Sequence, residues 1–380
     1  MKIGLLVPEM PPDTIGGGGA VFEALATNLL GRGHDVHVVT SHTHGATGTK
    51  SFAYPVVRLR EFPHPAPAYR TYMPPYPTEL LRVRALLRSC DVVNAHGHGH
   101  PLVDLASLLW VPYRKVVYSL HGFLYTIPRS GALLANTYRL YDSLFGQPIF
   151  RKSRFVTAVS LAVANDAAER GRTDAIVINN GFDAFDEALA PGDAVARELA
   201  RGPYLLCVGR IEMLKGFDIA IEALRRVREA GLSLRLVVVG RDNGALGSLR
   251  ALVERYALTD RVSFVGFVEH AALPSLFEGA FATIVTSRTE AFPATPLEAM
   301  SLGSPCILSR VGGINDIATH DVDALLFEAG DDAELARAIR RLDADAELRR
   351  RLTRAGRERS RAFLWPHVVR AYESVYERVV

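Results

Sequence analysis

Residues 203–224 read PYLLCVGRIEMLKGFDIAIEAL. Tyr204 to Val208 form a short apolar run of the kind a strand buried on both faces needs. Gly209 closes the run, and from Phe217 onward apolar residues recur at the spacing of one helix face. Strand, loop and helix in that order make half of a parallel βαβ unit, and the loop between them carries Arg210 and Lys215.

The same alternation extends outward in both directions. In the first half the apolar runs are KIGLLV, HDVHVVT, YPVVRLR, DVVNA, RKVVYSL, RFVTAVS and AIVIN, with helical patterns such as VFEALATNLLGRG and SLAVANDAAERG between several of them. After PYLLCVG come LRLVVVG, RVSFVG, FATIVTS and PCILS. Residues 182–202 lack a strand and contain Pro191-Gly192, so they read as a connection. At 380 residues the chain exceeds one ordinary core. The expectation is an α/β protein of two doubly wound Rossmann-like domains facing across a cleft: 1–181, the connection 182–202, a second domain over 203–360, and a terminal helix over 361–380. That helix places Val368, Val369, Tyr372, Val375 and Tyr376 at helical intervals.

Composition narrows the class of function. The chain is 48% hydrophobic and 22% charged, and its net charge of +3 argues against a bulk nucleic-acid partner. Cys90, Cys207 and Cys306 form no CxxC and read as reduced core residues of an intracellular, cytoplasmic protein. MKIGLLVPEM is interrupted by Pro8 and Glu9 and reads as a first strand, not a leader. No window approaches a membrane span, and the best candidate, PLVDLASLLWVPY, contains Asp104.

In open α/β folds ligands bind beyond the carboxyl ends of the strands, so the residues that follow strands are the candidates. Gly16 to Gly19 precede a helix and could present amides to an anion, or form an ordinary surface turn. They stand too far behind the strand for a dinucleotide fingerprint, and no acid closes the second strand, which disfavours a dehydrogenase. Histidines gather at the strand ends: His42, His44, His96, His98, His100 and His121. Their glycine-interleaved spacing lacks a zinc-site frame, and they read as donors for hydroxyls or phosphate, or as polar lining. Arg210 and Lys215 combine a fork and a point charge suited to a diphosphate. In TEAFPATPLEAM, residues 289–300, Glu290 is expected at a strand's carboxyl end. Thr295-Pro296-Leu297-Glu298 spells a capping box, with Glu298 reaching back to the Thr295 amide.

Taken together, VGRIEMLKG, the E-x7-E segment EAFPATPLE with its sequel AMSLGSPCILS, the glycine-rich loop, SLHG and INNGFD make the chain resemble the family-4 retaining glycosyltransferases over nearly its whole length. The resemblance implies the GT-B fold and transfer of a hexosyl unit from a nucleotide-diphosphate sugar with retention of configuration. Carried over by position, it implies that Glu290 binds donor-sugar hydroxyls and Glu298 the ribose, within a donor segment that includes Phe292, Ala294 and Thr295. It implies that Arg210 and Lys215 hold the diphosphate, that His121 faces the transferring sugar, and that Gly17 and Gly18 approach phosphate or acceptor. His96 and His98 are acceptor-side candidates, and no obligatory metal or cofactor is expected; Asp321-Val322-Asp323 reads as a structural turn. Many members have Gly where this chain has Pro293, which removes one backbone N–H from the donor loop.

Other classes stay open on sequence alone. A GT-B epimerase would consume donor without acceptor, a two-carboxylate hydrolase would not need Arg210 or Lys215, and a non-catalytic sugar-binding protein would release no nucleotide. The acceptor is a hydroxyl of a glycan, a lipid-linked or a small molecule. Residues 58–88 hold Arg58, Arg60, Arg70, Arg82, Arg84 and Arg88, which suits either a solvated loop and amphipathic helix or a peripheral contact with the inner face of the cell membrane.

Overall fold

The computed structural model describes residues 1–12, 17–42, 50–62, 73–123, 136, 139–185, 195, 198 and 201–380. The chain divides into two units, one of Met1–Gly181 with Trp365–Val380, the other of Phe182–Leu364.

In the first unit seven strands form one sheet in the order β3 (Val56–Arg60), β2 (Asp35–His42), β1 (Lys2–Val7), β4 (Val92–His98), β5 (Val116–Phe123), β6 (Phe155–Ala158) and β7 (Ile176–Val177). Every pairing is parallel. The winding reverses between β1 and β4, the point where ligands bind in such sheets. The Gly18–Gly31 helix buries Phe22, Leu25, Ala26 and Leu29, a repeat of three and four that lays one stripe on the sheet.

The terminal helix, Trp365–Glu377, joins this core although the rest of its neighbours lie far away in sequence. Trp365, Val369, Tyr372 and Tyr376 are at most 2% exposed and pack with Ile3, Leu5, Phe22 and Val92. Burying side chains of this kind is worth about 1.5–3 kcal/mol each, so the helix is an integral part of the first unit. Polar bonds fix its register: Asn94 Nδ2 donates to Tyr376 Oη at 2.6 Å, and Glu373 lies 2.6 Å from Arg32 and 2.8 Å from His34.

The second unit repeats the plan. Its six strands run β10 (Val262–Gly266), β9 (Arg235–Val239), β8 (Tyr204–Val208), β11 (Ala282–Val285), β12 (Cys306–Ser309) and β13 (Leu325–Phe327), again all parallel. The reversal lies between β8 and β11. Strand β13 is an addition to the sequence reading; three residues are too few to show a period. The Phe217–Glu229 helix buries Phe217, Ile221, Leu224 and Val227 against the sheet. All three cysteines are buried thiols. No helix among the described residues is long and apolar enough to cross a membrane.

Candidate active site

Two loops leave adjacent strands at the reversal of the second unit. The loop after β8 carries Arg210 and Lys215, and the loop after β11 carries Ser287 and Glu290. Gly216 ends the first loop at φ 65°, where a Cβ would meet the Thr286 carbonyl oxygen at 2.2 Å. Only glycine lets the two loops approach this closely. Thr286 Oγ1 then donates to the Lys215 carbonyl at 2.8 Å and fixes the register between them.

The result is an ion pair: Lys215 Nζ lies 2.5 Å from Glu290 Oε1, which also accepts from Ser287 Oγ at 2.7 Å. Glu290 Oε2 has no partner among the described residues. The two side chains are 24% and 12% exposed, so the pair is partly desolvated and better defined than a surface ion pair. It offers an ammonium point charge beside a carboxylate oxygen that can accept hydroxyl hydrogens. Arg210, on the same loop, is 48% exposed and paired with Glu212 at 3.0 Å. From the other side the loop after β12 closes on Glu290. Gly312 has φ 42° and a Cβ there would lie 1.9 Å from the Glu290 carbonyl oxygen, to which Gly313 N donates at 3.1 Å. Sequence reasoning passed over this Gly-Gly pair, although its place directly after an apolar strand was a signal.

Glu298 behaves differently from expectation. The Thr295–Leu302 helix begins one residue early, with Ala294 at its cap and no side-chain capping bond. Thr295 is therefore already helical, and the expected capping box does not form. Glu298 reaches instead to His270 Nε2 at 3.1 Å. That bond raises the His270 pKa, and the nearby Glu298 charge adds to it against the opposing effect of burial. His270 also stacks on Phe185 with ring centroids 4.7 Å apart. His270 was missed, yet it follows the β10 strand and so shares the carboxyl edge. Phe292 is buried with its ring 5.7 Å from Phe363, so only its backbone is available to a ligand. Ala294 is exposed and Thr295 half-buried.

At the first unit's reversal the groups are mostly neutral and buried. His96 on β4 and His121 on β5 meet through Nδ1 and Nε2 at 3.0 Å. Phe22 packs on both rings at 5.1 and 5.2 Å. Burial pulls the His121 pKa down to about 4, and burial together with the neighbouring His121 holds His96 well below its ordinary value. Both imidazoles are therefore uncharged at neutral pH. His96 is fully buried, so it acts on His121 and not on an acceptor. His98 is likewise removed from the acceptor side, because it is buried and tied to Asp142 Oδ1 at 2.5 Å and to Tyr118 Oη at 3.2 Å. Tyr118 in turn donates to Asp104 at 2.6 Å, and burial raises the Asp104 pKa to about 6.

The glycine-rich loop also departs from the expectation of open amides. Gly19 N donates to Glu9 Oε1 at 3.0 Å, placing a buried carboxylate at the start of the Gly18–Gly31 helix. That carboxylate takes the Gly19 amide and competes with phosphate for the helix end beside Gly17 and Gly18. Gly16, His44 and Arg70 lie outside the described residues. Of the basic 58–88 segment, Arg60 and Arg82 pair with the buried Glu79, and Arg58 donates to the Met10 and Pro11 carbonyls. All three make contacts within the chain, while the Arg60 and Arg82 side chains remain 71% and 58% exposed.

Comparison with known proteins gives a consistent result over both units. Residues 15–184 match Glycosyltransferase Family 4 and residues 195–359 match Glycosyl transferases group 1. A glycogen synthase of Mycobacterium tuberculosis is 28% identical over 402 aligned residues, covering 99% of this chain and 94% of the relative. Among solved structures, a sucrose-phosphate synthase from Thermosynechococcus elongatus superposes with a TM-score of 0.76 at 22% identity, covering 100% of this chain and 98% of its own. HepE of Anabaena, in complex with UDP-glucose, superposes with a TM-score of 0.73 at 21% identity, covering 100% of each chain.

Proposed function

The chain belongs to the family-4 glycosyltransferases of GT-B fold, and from that premise we propose that it moves a hexosyl unit from a nucleotide-diphosphate sugar to an acceptor hydroxyl with retention of configuration. The observation that carries this reading is the Lys215–Glu290 pair, built by two loops at the reversal of the second sheet. Lys215 and Arg210 take the diphosphate, Glu290 Oε2 accepts from sugar hydroxyls, and Glu298 with His270 takes the ribose. The complex of HepE with UDP-glucose supports a nucleotide-sugar donor.

In the reaction the bond from the anomeric carbon to the diphosphate oxygen breaks. A bond to the acceptor oxygen forms on the same face, and the acceptor proton passes to the departing phosphate. The charge that develops there is met by Arg210 and Lys215, which is the dominant way such sites lower a barrier. His121, neutral at pH 7, serves the transferring sugar as a hydrogen-bonding group and not as an acid. Gly17 and Gly18 belong to the acceptor side, since Glu9 occupies the anion position beside them. With two basic side chains for the diphosphate, no obligatory metal is required; turnover unchanged in excess chelator is the expected result.

Nucleotide release from a panel of nucleotide sugars, with and without candidate acceptors, tests the proposal. Release that requires acceptor and collapses in Lys215→Ala supports it. Conversion of donor without acceptor indicates an epimerase or hydrolase, and absence of release with every acceptor indicates a binding protein.

A further inference from the structure

A second basic feature of the second unit lies away from the residues discussed so far. A groove of about 600 Å3 runs along the Ala346–Ser360 helix. Its far wall is formed by Phe281 and Pro305, which immediately precede β11 and β12. The groove therefore sits at the amino edge of the sheet, opposite the edge that carries Lys215 and Glu290.

One helix face and the turn after it line the groove with Arg349, Arg350, Arg354, Arg357 and Arg361. Glu358 is the single carboxylate among the lining residues, and it pairs with Arg361 at 2.5 Å. The remaining guanidinium charges are held without being neutralised by buried acids. Arg349 donates to the Leu342 and Asp343 carbonyls and lies 5.2 Å over the Phe281 ring. Arg357 donates to the Leu302 carbonyl at 3.0 Å. Arg350 pairs with Glu347 at 2.7 Å where both are 70% exposed, a contact that solvent screens heavily. Arg354 has no partner among the described residues.

Like charges three and four residues apart destabilise a helix, and Arg350, Arg354 and Arg357 are spaced in that way. An anion in the groove would relieve that repulsion, and planar guanidinium forks match phosphate oxygens two at a time. We propose that this groove is a binding site for a phosphate-bearing small molecule, separate from the donor edge. The lining offers guanidinium groups and no exposed large apolar side chain that could enter a bilayer, which favours a compact ligand over a lipid surface. None of the exposed large apolar side chains of the second unit, Met213, Phe267 and Val322, lines it. An occupant would also lie behind the Thr295–Leu302 helix, on which the Ala346–Ser360 helix packs and whose last carbonyl Arg357 holds.

The test follows the unfolding midpoint with pyrophosphate at fixed ionic strength, and sedimentation with phosphatidylglycerol vesicles. Lys215→Ala removes the donor-edge cation. Arg350→Glu with Arg354→Glu reverses two exposed groove charges; Arg354 has no partner among the described residues, and Arg350 pairs only with Glu347 on its own helix, both 70% exposed. The site predicts that Lys215→Ala keeps a saturable rise in midpoint, and that adding the two reversals to it abolishes that rise. The response to nucleotide sugar should survive in the protein carrying the reversals alone. Loss of the pyrophosphate response in Lys215→Ala alone, its persistence after the reversals, or no response in any protein overturns the proposal. Vesicle binding that the reversals abolish, without a pyrophosphate response, overturns it in favour of a membrane contact.

Discussion

The two units share a winding scheme but furnish their reversals with opposite electrostatics. At the carboxyl edge of its sheet the second unit gathers Lys215 with Glu290 and Arg210 with Glu212 on the loops after β8 and β11, and His270, after β10, with Glu298. On β4 and β5 the first unit offers two neutral imidazoles beside the Phe22 ring, and after β1 a buried Glu9 that takes the Gly19 amide. A fold that repeats thus divides its chemistry. Anionic diphosphate suits the edge with cations, while the desolvated edge suits hydroxyls, which ask only for hydrogen-bond partners.

The largest expected effect comes from removing the cation that anchors the charged edge. Lys215→Ala should lower kcat/KM on the order of 10²–10³-fold, the usual loss of one charge-stabilising donor, as read by steady-state nucleotide release. A loss of less than about threefold would erase the contrast between the units.

Glu298→Ala should weaken donor binding about 10- to 100-fold, the range for a hydrogen bond to a charged group. It should also lower the His270 pKa, since the carboxylate is the main cause of its elevation; a calorimetric titration and an NMR titration read the two effects. Tyr376→Phe leaves the Asn94 amide unpaired in the first core and should cost about 1–3 kcal/mol. Denaturant unfolding would show it, with nucleotide-sugar binding unchanged.

The smallest effect at neutral pH sharpens the other side of the comparison. His121 should titrate near 4 when its imidazole is followed by NMR. Between about 6.5 and 4 the unfolded chain binds a proton that the native site refuses, so stability should fall as the pH falls through this window. A His121 titration near the ordinary value would show that its site is solvated and remove the proposed division.

Parallel α/β character was legible because strand runs such as LRLVVVG and helix patterns such as FDIAIEAL differ in period. The strand ends followed from it, and with them Arg210, Lys215, Glu290 and His121. What escaped was decided by contacts between distant segments. Glu298 fits a capping box in one dimension, yet the helix starts at Thr295 with Ala294 as its cap, and His270 supplies the partner from a turn near residue 270. His98 looked like rim lining until Asp142, from 44 residues away, enclosed it. Glu9 gave no periodic signal at all; its role appears only where the chain folds its carboxylate onto Gly19. The Gly312–Gly313 turn matters for the same reason, since backbone approach to Glu290 leaves no mark on hydrophobic patterning.

The most direct test of the central claim is amide hydrogen exchange with and without uridine or guanosine diphosphate. The charged edge predicts protection concentrated in residues 209–217 and 286–299, lost in Lys215→Ala. Protection confined to residues 9–22 and 96–100 would place the diphosphate in the first unit and contradict the account.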